Sequence, residues 1–456
     1  MKKQILLSIC LFVTLFASAQ SYYEGKLGPL KFGLKIMTNP AQAWFYVPDQ
    51  MAFEVSFTDV RMTTDSVFGE FKMAKAKIKG KFSTDKKVFV GQWVQGRSTD
   101  LILTQTDQLS FARRPQTPKP PFDYETEDVL FTDANQSITF GGTFTRPKGD
   151  GKFTTVLLIS GSSQQDRDET IGGHKAFWVI ADYLTKNGFA VLRLDDRTVG
   201  QTTGQLGTSA DYAKDVLVAV NYLKNRKEVN PKKIGLVGHS EGGMIAPIAA
   251  SNSKDVAFIV SLAGMGVSGY DLLLKQSDAA LKQMGMSDEY RGYTADLNKT
   301  IYAVCRRLPT EGDITDSLKT AFNSWLARQP ADRLGQMGLK GKEGESKMTN
   351  QFPFIGSAWY RYFLKYDPAP TLQKIKIPVL ALNGDKDMQV DAAANLTAFE
   401  VNLKKAGNKN YKVVTLQGLN HLFQNCQTCT ITEYSTLEET FSTKALLIVS
   451  DWLKTM

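Results

Sequence analysis

The sequence predicts an α/β protein: a mostly parallel, eight-stranded sheet with helices on both faces and a helical insert, preceded by a small all-β domain. Three observations lead there. Residues 20–112 alternate apolar and polar side chains with the period of half-buried strands. Beyond a proline-rich stretch the pattern becomes short, continuously apolar runs separated by helical stripes, as strands buried on both faces require. One such run, 234–237, leads directly into Gly238-His239-Ser240-Glu241-Gly242 and then an apolar helix.

The chain has 456 residues, more than one core normally serves. Its opening segment, 1–19, reads as a signal peptide. Lys2 and Lys3 form a charged start, 5–16 an apolar core too short to span a bilayer, and Ala17-Ser18-Ala19 a small-residue cleavage site. Cys10 lies inside the apolar core rather than at its end, which argues against a lipid anchor. Export to the periplasm or medium is the expectation. No later stretch is long and apolar enough to span a membrane, so no stable membrane insertion is expected.

Residues 20–112 should form a small antiparallel sandwich or barrel. Apolar residues alternate in 32–36, 53–57 and 76–82, with further strands at 88–94 and 101–103. Lys75, Lys77, Lys79 and Lys81 fall on the solvated face of one strand. The net charge of +9 has no basic helix or zinc-finger spacing beside it, so it reads as a dispersed surface and nucleic acid is not an expected partner. Residues 113–122 carry Pro115, Pro118, Pro120 and Pro121 and read as a stiff linker.

The α/β domain should cover 123–456. A leading hairpin is expected from 129–131 and 137–145, then buried strands at 156–159, 190–194, 234–237, 257–262, 379–382 and 411–416. Helical stripes stand between them: Phe177, Ile180, Ala181 and Leu184, and Tyr212, Val216, Val220 and Leu223. Over a hundred residues separate the strands at 257–262 and 379–382. That insert, about 265–374, reads as a helical cap over the carboxyl ends of the strands, where sites on such sheets lie. Within it, 335–350 is polar and glycine-rich and reads as a mobile loop. Trp359, Tyr360 and Tyr362 either wall a compact pocket or pack on the sheet.

The pentapeptide at 238–242 has the pattern of a nucleophile elbow, a strand-turn-helix that leaves Ser240 Oγ exposed in front of a helix N-terminus. A serine hydroxyl needs a base, and the chain has three histidines. His239 adjoins Ser240, so its ring points elsewhere, and His174 precedes a helix on the near side of the sheet. His421 follows the last strand and is favoured by elimination. The acid that orients it should be Asp387, with Asp385 in reserve, on the loop after a buried strand. Backbone N–H groups of Glu241 and of Ser162, or alternatively Ser163, are the expected oxyanion donors. The two serine side chains should be freely replaceable if only the backbone acts.

Beyond the signal peptide, Cys305, Cys426 and Cys429 remain. The last two have C-x-x-C spacing, but no second such pair exists and histidines are few, so neither a metal nor another cofactor is expected. A local disulfide and two buried thiols both stay open.

Together these stretches resemble exported bacterial α/β-hydrolases of the esterase type. The resemblance rests on Gly161-Ser162-Ser163-Gln164-Gln165-Asp166-Arg167-Asp168, Leu194-Asp195-Asp196-Arg197, Gly238-His239-Ser240-Glu241-Gly242-Gly243, Asn383-Gly384-Asp385-Lys386-Asp387 and Leu419-Asn420-His421-Leu422-Phe423. It covers 123–456 and implies Ser240, Asp387 and His421 as a triad, with Ser162 and Glu241 at the oxyanion positions. The first domain resembles one fused before some of these hydrolases, including its Gly91-Gln92-Trp93-Val94-Gln95-Gly96. Two departures are visible: Ser160 stands where many relatives carry histidine, and Thr198 where glycine usually follows Asp-Asp-Arg. The expected activity is hydrolysis of short-chain or small carboxylic esters through an acyl-enzyme. The alternative is a serine peptidase of the prolyl-oligopeptidase type, although ninety residues cannot supply the propeller such enzymes usually carry.

Overall fold

The computed structural model describes residues 20–50, 52–111 and 113–456; the expected signal peptide, 1–19, lies outside them. The chain divides into two compact units after Arg113.

The first unit is one antiparallel sheet of nine strands: Gln20–Leu27, Leu30–Thr38, Ala41–Val47, Ala52–Ser56, Asp59–Met62, Ser66–Phe71, Ala76–Phe82, Val88–Gln95 and Arg97–Thr106. The fourth and fifth strands are its edges. The turn between them closes the sheet, because Phe57 N–H donates to Ala43 O at 3.0 Å and Thr58 N–H to Glu70 O at 2.7 Å. Phe32, Phe45, Phe57 and Trp93 fill the interior, with the Phe45 and Trp93 ring centres 5.1 Å apart. Ala76 and Ile78 point inward while Lys77 and Lys79 are exposed, as the alternation predicts.

The second unit is built on eight strands: β1 (Tyr124–Thr132), β2 (Thr139–Pro147), β3 (Phe153–Ile159), β4 (Ala190–Leu194), β5 (Val229–His239), β6 (Phe258–Leu262), β7 (Val379–Gly384) and β8 (Tyr411–Leu416). Their spatial order is β1-β2-β4-β3-β5-β6-β7-β8. β1 and β2 form the expected hairpin, β2 is antiparallel to β4, and every later pairing is parallel. Helices Ser209–Lys224, Gly242–Ser251 and Ala392–Lys405 bury one face of the sheet. Ala176–Lys186 and Thr443–Leu453 bury the other. The fold class is the expected one.

The insert between β6 and β7 is helical. Its long helices, Gly269–Gln283, Asp288–Arg307 and Thr315–Leu326, are followed by shorter ones ending in Ala358–Lys365 and Ala369–Leu372. It has a core of its own, formed by Leu297, Ile301, Cys305, Leu318, Phe322, Trp325 and Phe352. The stretch 335–350 is not the expected loop. It contains the end of Ala331–Gln336 and the helix Gly341–Thr349. Gly338, at φ +64°, ends the first of these helices, and Leu339 is buried in the cap core. Met337 and Met348 pack against the same core, so a few apolar side chains order a mostly polar segment.

The proline-rich stretch is also corrected. From Arg114 onward it belongs to the second unit. The Arg114 guanidinium donates to the carbonyls of Gly172, Ser435 and Leu437 at 2.8, 2.7 and 3.2 Å. Gln116 Oε1 accepts from Thr440 and Phe441 N–H at 2.6 and 3.0 Å. The path turns at 114–117, where Thr117 N–H donates to Arg114 O at 3.0 Å, and two polar side chains fasten it.

Candidate active site

β5 ends at His239 and the next helix starts at Gly242. Ser240 between them adopts φ +53°, a conformation costly for a residue with a Cβ and held here by tight packing. A Cβ on Gly238 would lie 2.0 Å from Gly242 O, and one on Gly242 would lie 2.1 Å from Ile159 O. Only glycine fits at either side of the serine. Ser240 N–H donates to Leu262 O at 2.9 Å, tying the turn to β6.

Ser240 Oγ lies 3.1 Å from His421 Nε2, and His421 Nδ1 lies 2.8 Å from Asp387 Oδ2. Asp387 and His421 are both buried. The second Asp387 oxygen accepts N–H bonds from Gln389 and Val390, each 2.8 Å. That fixes the carboxylate in its loop. The His421 loop is shaped by Asn420, whose Oδ1 accepts from the N–H groups of Leu422 and Gln424 at 3.0 Å each. Asp385 is not brought to the histidine: its Oδ1 accepts from Gly418 N–H at 2.6 Å.

The other two histidines are committed elsewhere. His174 is buried with its ring nitrogens 2.9 Å from Thr440 Oγ1 and from Tyr434 O. Burial, helped by the Arg114 charge, pushes it down to about 3, so it is neutral. His239 lies between Glu169 and the His421 carbonyl.

Gly161 N–H donates to Glu169 Oε1 at 2.7 Å. The N–H groups of Ser162, Ser163 and Glu241 have no protein acceptor among the described residues. Donors are therefore open on both sides of Ser240, and Ser162 and Ser163 both remain available for the second position. The Glu241 side chain is not a free position. It is buried, and its Oε1 accepts from Ser209 Oγ at 2.6 Å and Trp359 Nε1 at 2.9 Å. Burial raises its pKa, against the stabilising bonds from Ser209, Ser162 and Trp359. One residue thus ties the elbow, a core helix and the cap together.

A cavity of about 640 Å³ opens beside Ser160, Gly161 and Glu241. Leu194, Leu206, Tyr212, Ile245, Phe354 and Trp359 supply much of its wall. Trp359 is the one of the three expected aromatics that lines it. Tyr360 is buried in the cap core with its hydroxyl 3.0 Å from Tyr302, and Tyr362 stacks on Tyr366. Asp196 faces the same cavity. It accepts from Ser160 Oγ at 2.7 Å and Gln165 N–H at 2.9 Å, and burial pushes it up to about 7. Ser160 in place of histidine therefore acts as a donor to this carboxyl. Thr198, in place of glycine, has φ +72°, so the backbone keeps a geometry natural to glycine.

Cys426 and Cys429 form a disulfide in the segment after His421, while Cys305 is a free, buried thiol of the cap. Sequence reasoning named neither Glu169, one residue past the run that carries the resemblance, nor Ser209. Their signals are single buried polar residues without periodicity.

The model of the α/β hydrolase fold family matches residues 155–424. Esterase EstD of Thermotoga maritima is 32% identical over 309 residues, covering 66% of this chain and 61% of that protein. An uncharacterised 31.7 kDa protein from the traX-finO intergenic region of Escherichia coli is 23% identical over 331 residues, covering 72% of this chain and 99% of its own. Among solved structures, the Pyrococcus furiosus esterase Pf2001 aligns at 18% identity and a TM-score of 0.43, over 73% of this chain and 93% of that one. The family match spans more than half of the residues and includes the elbow, the Asp387 loop and His421. This chain is a member of the α/β-hydrolase family.

Proposed function

We propose that the protein is a serine carboxylesterase acting on small esters through an acyl-enzyme. The observation that carries this is the chain of contacts from Ser240 Oγ to His421 Nε2 and from His421 Nδ1 to Asp387 Oδ2. His421 takes the Ser240 proton as Oγ attacks the ester carbonyl. Asp387 holds the ring with Nδ1 protonated and stabilises the imidazolium that forms. The N–H of Glu241, with that of Ser162 or Ser163, receives the developing oxyanion. His421 then protonates the departing alcohol, and water, activated by the same histidine, releases the acid and restores Ser240.

The cavity beside Glu241 receives the acyl or alcohol group. Its apolar wall extends the range of fitting esters beyond acetates to groups of several carbons. The likeness to an esterase supports this chemistry, and no observation favours a peptidase. We further propose that the protein is exported, for which the Cys426–Cys429 disulfide is the structural support.

The test is hydrolysis of p-nitrophenyl esters and of peptide p-nitroanilides by the purified protein, with fluorophosphonate labelling. Ester turnover and labelling, both lost in Ser240→Ala, are the expected results. Peptide turnover without ester turnover would overturn the reading.

A further inference from the structure

Three hydrogen bonds join the loop after β3 to the loop that carries His421, passing beneath Ser240. Gly161 N–H donates to Glu169 Oε1 at 2.7 Å, the same oxygen lies 2.9 Å from His239 Nδ1, and His239 Nε2 lies 3.0 Å from His421 O. Glu169 is 1% exposed and His239 4%. We propose that Glu169 and His239 are a positioning pair that sets the oxyanion loop and the general-base loop as one body around Ser240. This rests on the serine-esterase reading above.

The proton count shows why these two residue types are needed. A carbonyl oxygen only accepts, so His239 Nε2 carries a hydrogen. Nδ1 faces a carboxylate oxygen, and that contact needs a proton as well. Ring and carboxylate together therefore hold a proton in each bond, which an imidazolium beside a carboxylate provides. Burial works against charge on His239. The charge and hydrogen bond of Glu169, with the His421 carbonyl, outweigh it and raise its pKa. Beside an ionised Glu169, a neutral ring has one N–H and can satisfy the carboxylate or the His421 carbonyl, not both.

A buried ion pair is a poor stabiliser compared with apolar packing of the same volume. What this pair supplies is geometry. The adjacent Gly161 reaches the reacting serine closely: a Cβ there would lie 3.2 Å from Ser240 Cβ. A shift of Gly161 therefore moves the neighbouring Ser162 and Ser163 N–H groups relative to Oγ. A shift of the His421 backbone moves Nε2 by a similar amount.

The bridge can be cut at either end in the full-length protein. Glu169→Gln removes the charge that keeps both ring nitrogens protonated. His239→Gln removes the rigid ring. Each variant is expected to lower kcat on a p-nitrophenyl ester by about a hundredfold, the scale of a misplacement near 1 Å, with KM within about twofold. The double variant should lose no more than the worse single, because one cut already opens the bridge. Gly161 amide hydrogen exchange should be about a hundredfold slower than that of a solvent-exposed loop amide in wild type, and faster in His239→Gln.

Folded single variants with wild-type kcat, losses that multiply as for independent sites, or a Gly161 amide unaffected by His239→Gln would each overturn the proposal. If the variants do not fold, the wild-type amide decides. Exchange at the rate of an exposed loop overturns it, and strong protection supports it. Ser240→Ala in the same assay separates the two readings: wild type without ester turnover, or Ser240→Ala with it, fails the esterase assignment and leaves Gly161 exchange to judge the bridge.

Discussion

Asp385 and Asp387 stand two residues apart on one loop, and their carboxylates serve different partners. Asp387 Oδ2 lies 2.8 Å from His421 Nδ1, whereas Asp385 Oδ1 accepts from Gly418 N–H at 2.6 Å. Asp387→Asn should therefore cost about ten-thousand-fold in kcat, since an amide favours the wrong histidine tautomer. Asp385→Asn keeps an oxygen for Gly418 and should cost less than about tenfold, a modest loss beside the expected effect at 387. Steady-state kinetics on one ester substrate ranks them, and the reverse order would move the acid to Asp385.

Ser240→Ala and His421→Ala should each reduce turnover by about a million-fold if the three groups act as a unit. The 3.1 Å contact between Oγ and Nε2 is the basis. Removing both should cost little more than removing one. A His421→Ala enzyme near the wild-type rate would end the assignment of the base.

Asp196 gives a pH prediction. Its folded pKa, pushed up by burial to about 7, lies above the ordinary value of 3.8. The folded chain keeps a proton that the unfolded chain gives up between those values. Stability from this site is thus full below pH ~4 and lost as pH rises through ~7. Asp196→Asn can keep both bonds, with Oδ1 toward Gln165 N–H and Nδ2 toward Ser160 Oγ. It should gain roughly 2 kcal/mol at pH 8, discounted for the carboxyl's cavity-facing side, and little at pH 4. Urea unfolding at the two pH values measures the difference; an equal effect at both would contradict it.

The cavity beside Glu241 predicts a chain-length profile. Each methylene seated on its apolar wall gains about 0.8 kcal/mol, or roughly fourfold in kcat/KM. Activity should rise from acetate through hexanoate p-nitrophenyl esters and fall again by palmitate. Trp359→Ala should also flatten the rise, because it removes both wall and the bond to Glu241. A maximum at acetate would show that the cavity is not used for this group.

A chain starting at Arg113 keeps the Arg114 and Gln116 contacts and should keep ester turnover. One starting at Phe122 loses the Arg114 and Gln116 contacts to 172 and 435–441. Bonds to a charged donor contribute about 1.5–3 kcal/mol, so the shorter chain should be destabilised by at least that much. Comparing urea midpoints tests this, and equal midpoints would show that the prolines alone set the path.

Sequence pattern carries the strands of the sheet because burial on two faces demands runs such as 156–159 and 379–382. It also carries the elbow, where Gly238 and Gly242 have no room for a Cβ. It names Ser240, Asp387 and His421, which the fold brings within hydrogen-bonding distance. It does not carry the docking of 114–122, since one arginine reaching carbonyls more than three hundred residues away leaves no local period. Nor does it carry the helices within 335–350, where Met337, Leu339 and Met348 reach the cap core from a sequence that is otherwise polar. Glu169 and the Glu241 side chain are hidden for a related reason: a buried carboxylate is identified by its partners, and those lie on other elements.

The separate core of the insert has a consequence for how this protein can change. β6 and β7 are neighbours in the sheet, with Ile259 paired to Val379, whatever the chain does between them. The entropy of closing that excursion grows only with the logarithm of its length. Leu297, Ile301, Phe322 and Trp325 stabilise the excursion from within. Residues 265–374 can therefore be regarded as an exchangeable module, in which a different helical lid could be grafted onto the same two strands without disturbing their register. Such a graft would need to rebuild the bonds from Trp359 Nε1 to Glu241 and from Gly266 and Val267 N–H to Asn395, together with the packing of Leu272 and Phe363 on the sheet domain.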